Sequence, residues 1–187
     1  DMASDLDVEI QGDSLDGRHV LMVVSGGIAA VESVKLSREI RRHGAELSII
    51  MTKDAHKVIT PLALSWASST PIITEWDSEM AQLSRFDGVI VAPATRNTIS
   101  KHIHGVIDSP AMMALSAARG NRTPMLFVPS MHSDLFDDPV TSDLLDGLED
   151  EGSRIVKDEP SEGRRKQPDH IQIVAELCHC INYNLSF

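Results

Sequence analysis

Short apolar segments alternate with longer segments of mixed polarity along the whole chain. Each apolar segment is typical of a strand buried on both faces; they cover residues 19–24, 47–51, 88–92, 125–128 and, with a weaker pattern, 154–156. Helices are predicted between and after them, at residues 61–68, 97–104, 110–118, 139–151 and 168–183. Apolar strands that alternate with helices predict an α/β fold: a doubly wound parallel sheet in a Rossmann-like or flavodoxin-like three-layer sandwich.

The segment after the first predicted strand has one small and apolar helical face. Ala29, Ser33, Leu36 and Ile40 follow one another at spacings of four, three and four residues, which is the helical period. Gly44 comes just after this pattern, and glycine readily adopts the left-handed conformation that closes many helices. We therefore expect a helix that packs on the sheet through this face and ends just before Gly44.

The chain of 187 residues is long enough for one domain with a substantial core. Residues 1–17 are acidic and poor in apolar side chains, so we expect a loose leader there and a single domain over residues 18–187. Residues 157–167 are charged and contain glycine and proline, which favours a mobile loop before the last helix. The sequence has no run of about 18 apolar residues and no secretory-signal pattern at its start, so a membrane span is not predicted.

Cysteine usage and charge narrow the functional classes. Cys178 and Cys180 point to different faces of the predicted last helix, which favours neither a disulfide nor a metal site and indicates a reduced, cytoplasmic setting. The formal net charge of −11, from 17 basic against 28 acidic residues, opposes nucleic-acid binding, because that binding depends on phosphate neutralisation. The single phosphate of a cofactor stays compatible with this charge, since backbone amides at a helix N-terminus can hold it.

Ligands of open parallel sheets bind beyond the carboxyl ends of the strands, so the segments that follow the predicted strands are candidates for a site. The first segment, Ser25-Gly26-Gly27-Ile28-Ala29-Ala30, is either a phosphate cradle or a plain strand-to-helix turn, since glycine suits both. It is not the G-x-G-x-x-G fingerprint of dinucleotide sites, and it is not a Walker loop because no Gly-Lys-Ser/Thr follows.

Hydroxyl and amide side chains follow the third predicted strand in the segment Ala92-Pro93-Ala94-Thr95-Arg96-Asn97-Thr98-Ile99. Thr95 or Asn97 can cap the next helix, but a cap needs only one such residue. The segment Val128-Pro129-Ser130-Met131-His132 repeats the arrangement after the fourth strand and adds a flexible thioether suited to contact with a flat ring. Both segments therefore indicate a ligand site at one edge of the sheet.

These segments, with residues 51–55 and 59–62, resemble the family of homo-oligomeric flavin-containing cysteine decarboxylases, and within it the phosphopantothenoylcysteine decarboxylase domains of coenzyme A biosynthesis. Residues 129–132 are similar to the Pro-x-Met-Asn motif of that family. The resemblance implies an FMN-binding domain that acts on a small-molecule substrate and assembles into a homotrimer or a dodecamer. It also implies which residues line the flavin: Gly26, Gly27, Ile28, Ala29, Thr52, Pro93, Ala94, Thr95, Asn97, Thr98, Ser130 and Met131.

The resemblance fails at the groups that it would assign to catalysis. Family members carry a histidine shortly before the Pro-Ala-Thr segment, the asparagine of Pro-x-Met-Asn and a late cysteine. Here Glu79 and His132 stand at the first two positions, and no cysteine occurs in the loop before Gly163. Asp108 falls near a substrate-contacting position of the family, although it can also simply start the next helix. Asp108 and His132 are therefore the candidate catalytic residues.

These departures leave two functions open. The first is a flavin-dependent redox enzyme or decarboxylase that acts on a small thiol-bearing or acidic metabolite. The second is a catalytically silent FMN-binding subunit that serves assembly or regulation. A carboxylate at Glu79 would repel a carboxylate substrate, so decarboxylation of a cysteinyl substrate is the less favoured chemistry.

Two pairs of side chains need a separate interpretation. His102 and His104 are expected to be solvated or at an interface between subunits, because at a spacing of two they do not share a helix face. Met112 and Met113 lie in a helix of small residues, where they can supply an apolar contact face between subunits or belong to an ordinary core.

Overall fold

The computed structural model of the protein describes residues 5–157, 160–161, 164–165 and 167–183. Its strands are β1 (His19–Val24), β2 (Glu46–Met51), β3 (Gly88–Ala94), β4 (Met125–Pro129), β5 (Met131–His132), β6 (Arg154–Ile155), β7 (Pro160–Ser161) and β8 (Arg164–Arg165). Five of them form a parallel sheet in the order β2-β1-β3-β4-β6. The five strands predicted from the apolar segments and the doubly wound α/β class are confirmed.

Helices flank this sheet. They are α1 (Ser33–Arg42), α2 (Pro61–Ser68), α3 (Arg96–Ile103), α4 (Pro110–Gly120), α5 (Ser133–Asp137), α6 (Pro139–Asp150) and α7 (His170–Asn182). The five helices predicted between residues 61 and 183 are confirmed to within two residues at each end, and α5 was not predicted. Among the described residues, no helix combines the length and the apolar character that crossing a membrane requires.

Alternate side chains of the central strand β1 pack into opposite layers. Val20, Met22 and Val24 join the cluster that contains the buried faces of α1, α2 and α7. Leu21 and Val23 join the cluster formed with α3, α4 and α6. Both faces of the sheet are therefore covered, and this is why its strands read as continuous apolar runs rather than as alternating patterns.

The face predicted for the first helix is confirmed for Ser33, Leu36 and Ile40, which are buried in α1. Ala29 is buried as well, but it lies in a 3₁₀ turn, Ile28–Glu32, that precedes α1. Gly44 has a φ of +92°, the left-handed conformation expected after α1. A Cβ atom at this position would also lie 3.0 Å from the Cα atom of Asp16, so the close approach of the leader adds a second reason for glycine.

The described part of the predicted leader is attached to the domain around Leu15. This side chain is fully buried, and the backbone N–H of Leu15 donates a 2.9 Å hydrogen bond to the carbonyl of His43, just after α1. The side-chain amide of Asn182, at the end of α7, donates to the carbonyl of Ser14 at 2.8 Å. The second half of the leader therefore links the ends of two helices, while residues 1–4 lie outside the described residues.

Part of the loop predicted at residues 157–167 has regular structure. Strand β8 pairs antiparallel with both β5 and β7, and the three form a small second sheet. Strands β7 and β8 therefore occupy part of the loop predicted before the last helix, with β8 paired to β5 and β7 paired to β8. Gly163 and the other residues of this loop at 158–159, 162 and 166 lie outside the described residues.

The strand order fixes where a ligand site is expected. Successive connections lead from β1 to β2 at one side and then to β3 at the other side, so β1 and β3 are neighbours whose connections run in opposite directions. A crevice opens at the carboxyl ends of two such strands, and this topological switch point is the usual ligand site of doubly wound sheets.

Candidate functional site

A cavity of about 380 Å³ opens at the carboxyl ends of β1, β2 and β3. This volume is within the range of sites for small molecules and cofactors, roughly 300–1,000 Å³. Segments that are far apart in the sequence meet here, and the lining residues are Gly26, Thr52, Lys53, Asp54, Thr95, Asn97, Thr98, Lys101, Asp108, Ser109 and Met112. Six residues predicted for the site are thus brought together: Gly26, Thr52, Thr95, Asn97, Thr98 and Asp108.

The turn after β1 fits against the segment after β2 because Gly26 has no side chain. A Cβ atom at Gly26 would lie 2.5 Å from the Cβ atom of Asp54 and 2.9 Å from its carbonyl carbon. Gly27 is different, since a Cβ atom there would meet Pro93 at 3.5 Å, an ordinary contact. Of the two glycines that the sequence offered, Gly26 is therefore the one that close packing requires.

The same turn is joined to the segment after β3 by Ser25. Its hydroxyl donates a 2.5 Å hydrogen bond to the carbonyl of Pro93 and accepts a 3.0 Å bond from the backbone N–H of Thr95. Ser25 is buried. The sequence pointed to this turn as a whole but not to the serine as the link between two strand ends, because a partner 68 residues away leaves no local signal.

Thr95 serves as the cap of α3 and also lines the cavity. Its hydroxyl oxygen accepts the backbone N–H of Thr98 at 3.3 Å, and its hydroxyl donates to the Thr98 side chain at 3.1 Å. The capping interpretation is therefore correct for Thr95. Asn97 and Thr98 lie in the first turn of α3. The backbone N–H of Thr98 is taken by this cap, while those of Arg96 and Asn97 have no helical partner and can attract an anion.

Thr52 carries a hydrogen-bonding group that the protein leaves open. Its backbone N–H donates to Val24 at 3.0 Å, which joins the ends of β1 and β2. Its Oγ1 atom is buried, borders the cavity and has no hydrogen-bond partner in the part of the chain that the structure describes. A buried hydroxyl without a partner costs about 1–3 kcal/mol, so this atom fits a ligand that completes the bond.

Three of the four charged side chains around the cavity belong to ion pairs. Lys101 contacts Asp108 at 2.7 Å, and Asp54 contacts Lys57 of the following turn at 3.1 Å. For Lys53, no carboxylate among the described residues lies within ion-pairing distance. Lys53 was not singled out from the sequence, because which lysines are paired depends on contacts between separate elements.

Several predicted site residues lie outside this cavity. Ile28 and Ala29 line a second cavity of about 250 Å³, together with residues at the start of α7. Pro93 and Ala94 are buried within β3. Ser130 and Met131 are buried beyond the end of β4, and the backbone N–H of Ser130 donates to Ala94 at 3.2 Å.

His132 and Glu79 also lie away from the cavity lining. The Nδ1 atom of His132 accepts a 3.1 Å hydrogen bond from the backbone N–H of Asp134 and so caps α5. The His132 side chain is 63% exposed, which leaves its other ring nitrogen open to solvent or to a ligand. Glu79 is exposed in the segment before β3.

The expectation of a solvated or interfacial His102 is wrong. This side chain is 1% exposed, and its ring lies 5.4 Å from the ring of Phe127 on β4. Met112 is likewise 2% exposed and belongs to the core, so it does not supply an apolar contact face to a partner. His102 was interpreted from its spacing along one helix, and for Met112 the sequence left a core position and a contact face open, because burial depends on the strands and helices packed against each helix.

Known proteins share the sequence pattern of this chain. The sequence pattern that defines the family described as Flavoprotein matches residues 9–182. The chain is 36% identical over 167 residues to the coenzyme A biosynthesis bifunctional protein CoaBC of Thermococcus kodakarensis, and 31% identical over 180 residues to that of Bacillus subtilis. These matches cover 86% and 87% of this chain but only 41% and 43% of those relatives, so the chain spans about two fifths of their length.

A solved structure has the same fold. The crystal structure of the FMN-dependent cysteine decarboxylase SpaF matches with a TM-score of 0.79, covering 90% of this chain and 99% of that one. The sequence identity is 21%, so the likeness concerns the arrangement of strands and helices.

Proposed function

The chain belongs to the Flavoprotein family, and from this premise we propose that it binds FMN and acts on a small thiol-bearing or acidic metabolite, as a redox enzyme or decarboxylase. The observation that carries the proposal is the cavity at the switch point, where residues from three strand ends surround the partnerless Oγ1 atom of Thr52. Hydroxyl, amide and lysine side chains in that lining suit a phosphorylated, hydrogen-bonding ligand.

Different residues of the cavity would make different contacts with the cofactor. Gly26 allows backbone to approach the ligand, Thr52 offers its open hydroxyl, and Asn97 and Thr98 lie at the N-terminal turn of α3. When bound, FMN would supply two-electron redox chemistry, which amino-acid side chains do not provide. We assign the neighbouring residues to the flavin by the family resemblance: Gly27, Ile28, Ala29, Pro93, Ala94, Thr95, Ser130 and Met131.

Asp108 and His132 are the groups that we propose to handle protons. Asp108 borders the cavity, where its carboxylate contacts Lys101 and can accept a proton from a bound substrate. Because Nδ1 of neutral His132 accepts the Asp134 N–H, its proton resides on Nε2, which can donate to an acceptor outside the chain. Asp108 is not one of the family's own catalytic groups and His132 replaces the asparagine of its Pro-x-Met-Asn motif, so the reaction would differ from cysteinyl decarboxylation.

A catalytically silent FMN-binding subunit is the second candidate function. Two observations favour it: the exposed position of Glu79, and the use of His132 as a helix cap. Both residues then have structural or solvated positions rather than roles in chemistry. The cofactor site is common to both candidates, and only the reaction separates them.

The cofactor test applies to both candidates. The purified protein is expected to be yellow and to release a flavin on denaturation, which chromatography identifies as FMN and not FAD. Protein purified without flavin is expected to bind added FMN and to quench its fluorescence. A colourless protein that fails to bind added FMN would overturn the proposal.

A further inference from the structure

The charged side chains around the cavity differ in whether they already form an ion pair. Lys101 is held by Asp108 at 2.7 Å, and the carboxylate of Asp54 is held by Lys57 at 3.1 Å. Each of these contacts is an ion pair without net charge. Lys53 directly follows Thr52 at the end of β2, lines the cavity and has no carboxylate partner among the described residues. One positive charge is therefore free to meet an anionic ligand.

This free charge stands out in a strongly acidic protein. The formal net charge is −11, so the long-range field of the chain repels anions rather than attracting them. An anion that enters the cavity must therefore be stabilised locally, by Lys53 together with the N–H groups at the start of α3. Uncharged parts of a ligand gain nothing from Lys53, so the lysine distinguishes ligands by their charge.

We propose that Lys53 selects the phosphorylated form of the flavin, and that the Lys101–Asp108 ion pair restricts the cavity to a single phosphate group. This inference rests on the proposed binding of FMN and assigns a specificity role to two parts of the same site. Riboflavin lacks the phosphate and cannot use Lys53. FAD carries a second phosphate, and the other cation in the lining, Lys101, is already neutralised by Asp108.

The experiment compares three flavins on four proteins. Dissociation constants for FMN, riboflavin and FAD are measured by flavin fluorescence on the flavin-free wild-type protein and on the variants Lys53→Gln, Asp108→Asn and Lys157→Gln. Lys157→Gln is the matched control, because it removes the same charge from an exposed lysine that does not line the cavity. Thermal unfolding of each variant checks that it folds like the wild type.

Lys53→Gln is expected to lower the affinity for FMN on the order of tenfold at low salt and to leave the affinity for riboflavin unchanged. Its FMN affinity should also depend less on salt, because ionic screening acts on the exposed charge that was removed. Asp108→Asn removes the carboxylate that pairs with Lys101, so it is expected to raise the affinity for FAD more than the affinity for FMN. Lys157→Gln should match the wild type for all three flavins.

Several results would overturn the inference. One is that Lys53→Gln lowers the affinities for FMN and riboflavin equally. Another is that Lys53→Gln lowers the FMN affinity no more than Lys157→Gln does, and a third is an unchanged FAD affinity in Asp108→Asn. If the wild type binds FMN normally while these variants behave in that way, the specificity roles fail and the flavin site stands. If the wild type binds none of the three flavins, the proposed function fails and the inference fails with it.

Discussion

Arg119 of α4 donates a 2.6 Å hydrogen bond to the backbone carbonyl of His102, in the last turn of α3. The same guanidinium lies 3.4 Å from the Nε2 atom of His102 and 3.3 Å from the carboxylate of Glu151, just after α6. The ends of three helices therefore meet around a buried imidazole. Burial, and after it the charge of Arg119, lowers the pKa of His102 from 6.5 to about 4.

This arrangement predicts a stability that falls in mild acid. Between pH 6.5 and about 4 the unfolded chain binds a proton at His102 and the folded chain does not, so acid favours unfolding across this window. The contribution is fully present above pH 6.5, and its loss amounts to roughly 3 kcal/mol by pH 4. Urea unfolding at pH 7 and pH 5 measures it, with His102→Gln expected to reduce the difference. His104→Gln, an exposed change on the same helix end, should keep the difference, and a full difference in His102→Gln would contradict the prediction.

The close contact of Gly26 with Asp54 predicts that one glycine of the turn is replaceable and the other is not. Gly26→Ala places a Cβ atom 2.5 Å from Asp54, so the two loops must separate. We expect a loss of roughly 1–3 kcal/mol in the free energy of unfolding, and weaker FMN binding. Gly27→Ala is the control, because its new atom makes an ordinary contact. Equal effects of the two substitutions in urea unfolding would refute the assignment.

Asn97 lies in the first turn of α3 on the cavity wall, where we propose that the phosphate binds. Asn97→Asp is expected to weaken FMN binding by on the order of 1 kcal/mol or more, because it adds a like charge near the phosphate. Asn97→Ser removes the amide without adding charge and separates the two causes. Equal affinities of the aspartate and serine variants in a fluorescence titration would place the phosphate elsewhere.

Assembly is predicted by the family resemblance, with a homotrimer or a dodecamer as the expected form. Met112 is buried within the subunit, whereas Met113 is half-buried and stays a candidate for the contact face. A second candidate is Val31, which is 54% exposed beside the second cavity. We expect Val31→Asp to dissociate the assembly, because a charge on a buried apolar contact is unfavourable. Val140→Asp changes a similarly exposed valine on α6 and serves as the control. Light scattering that finds the flavin-loaded wild type to be a monomer at micromolar concentration would remove the prediction.

The reaction itself separates the two candidate functions. With Glu79 and His132 at the family's catalytic positions, we expect no useful decarboxylation of phosphopantothenoylcysteine, because one acid–base group typically contributes about 10²–10⁴-fold. The FMN-loaded protein is incubated with this compound while carbon dioxide and flavin absorbance are followed. A second assay supplies reduced nicotinamide as electron donor.

Each outcome of these assays identifies a different activity. Rapid release of carbon dioxide would restore the decarboxylase and contradict our interpretation of the departures. Fast flavin reduction by the donor, without carbon dioxide, would establish a redox enzyme. Slow, nonspecific reduction alone would favour the silent binding subunit.

The amino-acid sequence by itself determined the five strands of the main sheet, the helices α1 to α7 except α5, and the fold class. It also determined the resemblance to flavin-containing cysteine decarboxylases, which the comparisons confirm. These features are local: apolar runs form buried strands, and caps such as Thr95 and Gly44 lie within a few residues of the helix ends they close. The Flavoprotein motifs are local as well, since each occupies one segment after one strand. That is why most of the candidate cavity could be predicted before its shape was known.

Only the tertiary structure decided which groups are free to act. Across the part of the chain that the structure describes, side chains from several elements bury His102 and leave both the hydroxyl of Thr52 and the charge of Lys53 without a partner. The link from Ser25 to Pro93 spans 68 residues and has no counterpart in local spacing. Charge pairing and burial depend on contacts between side chains of different elements, and these interactions weaken within a few ångströms. The periodicity of one chain segment does not report such contacts.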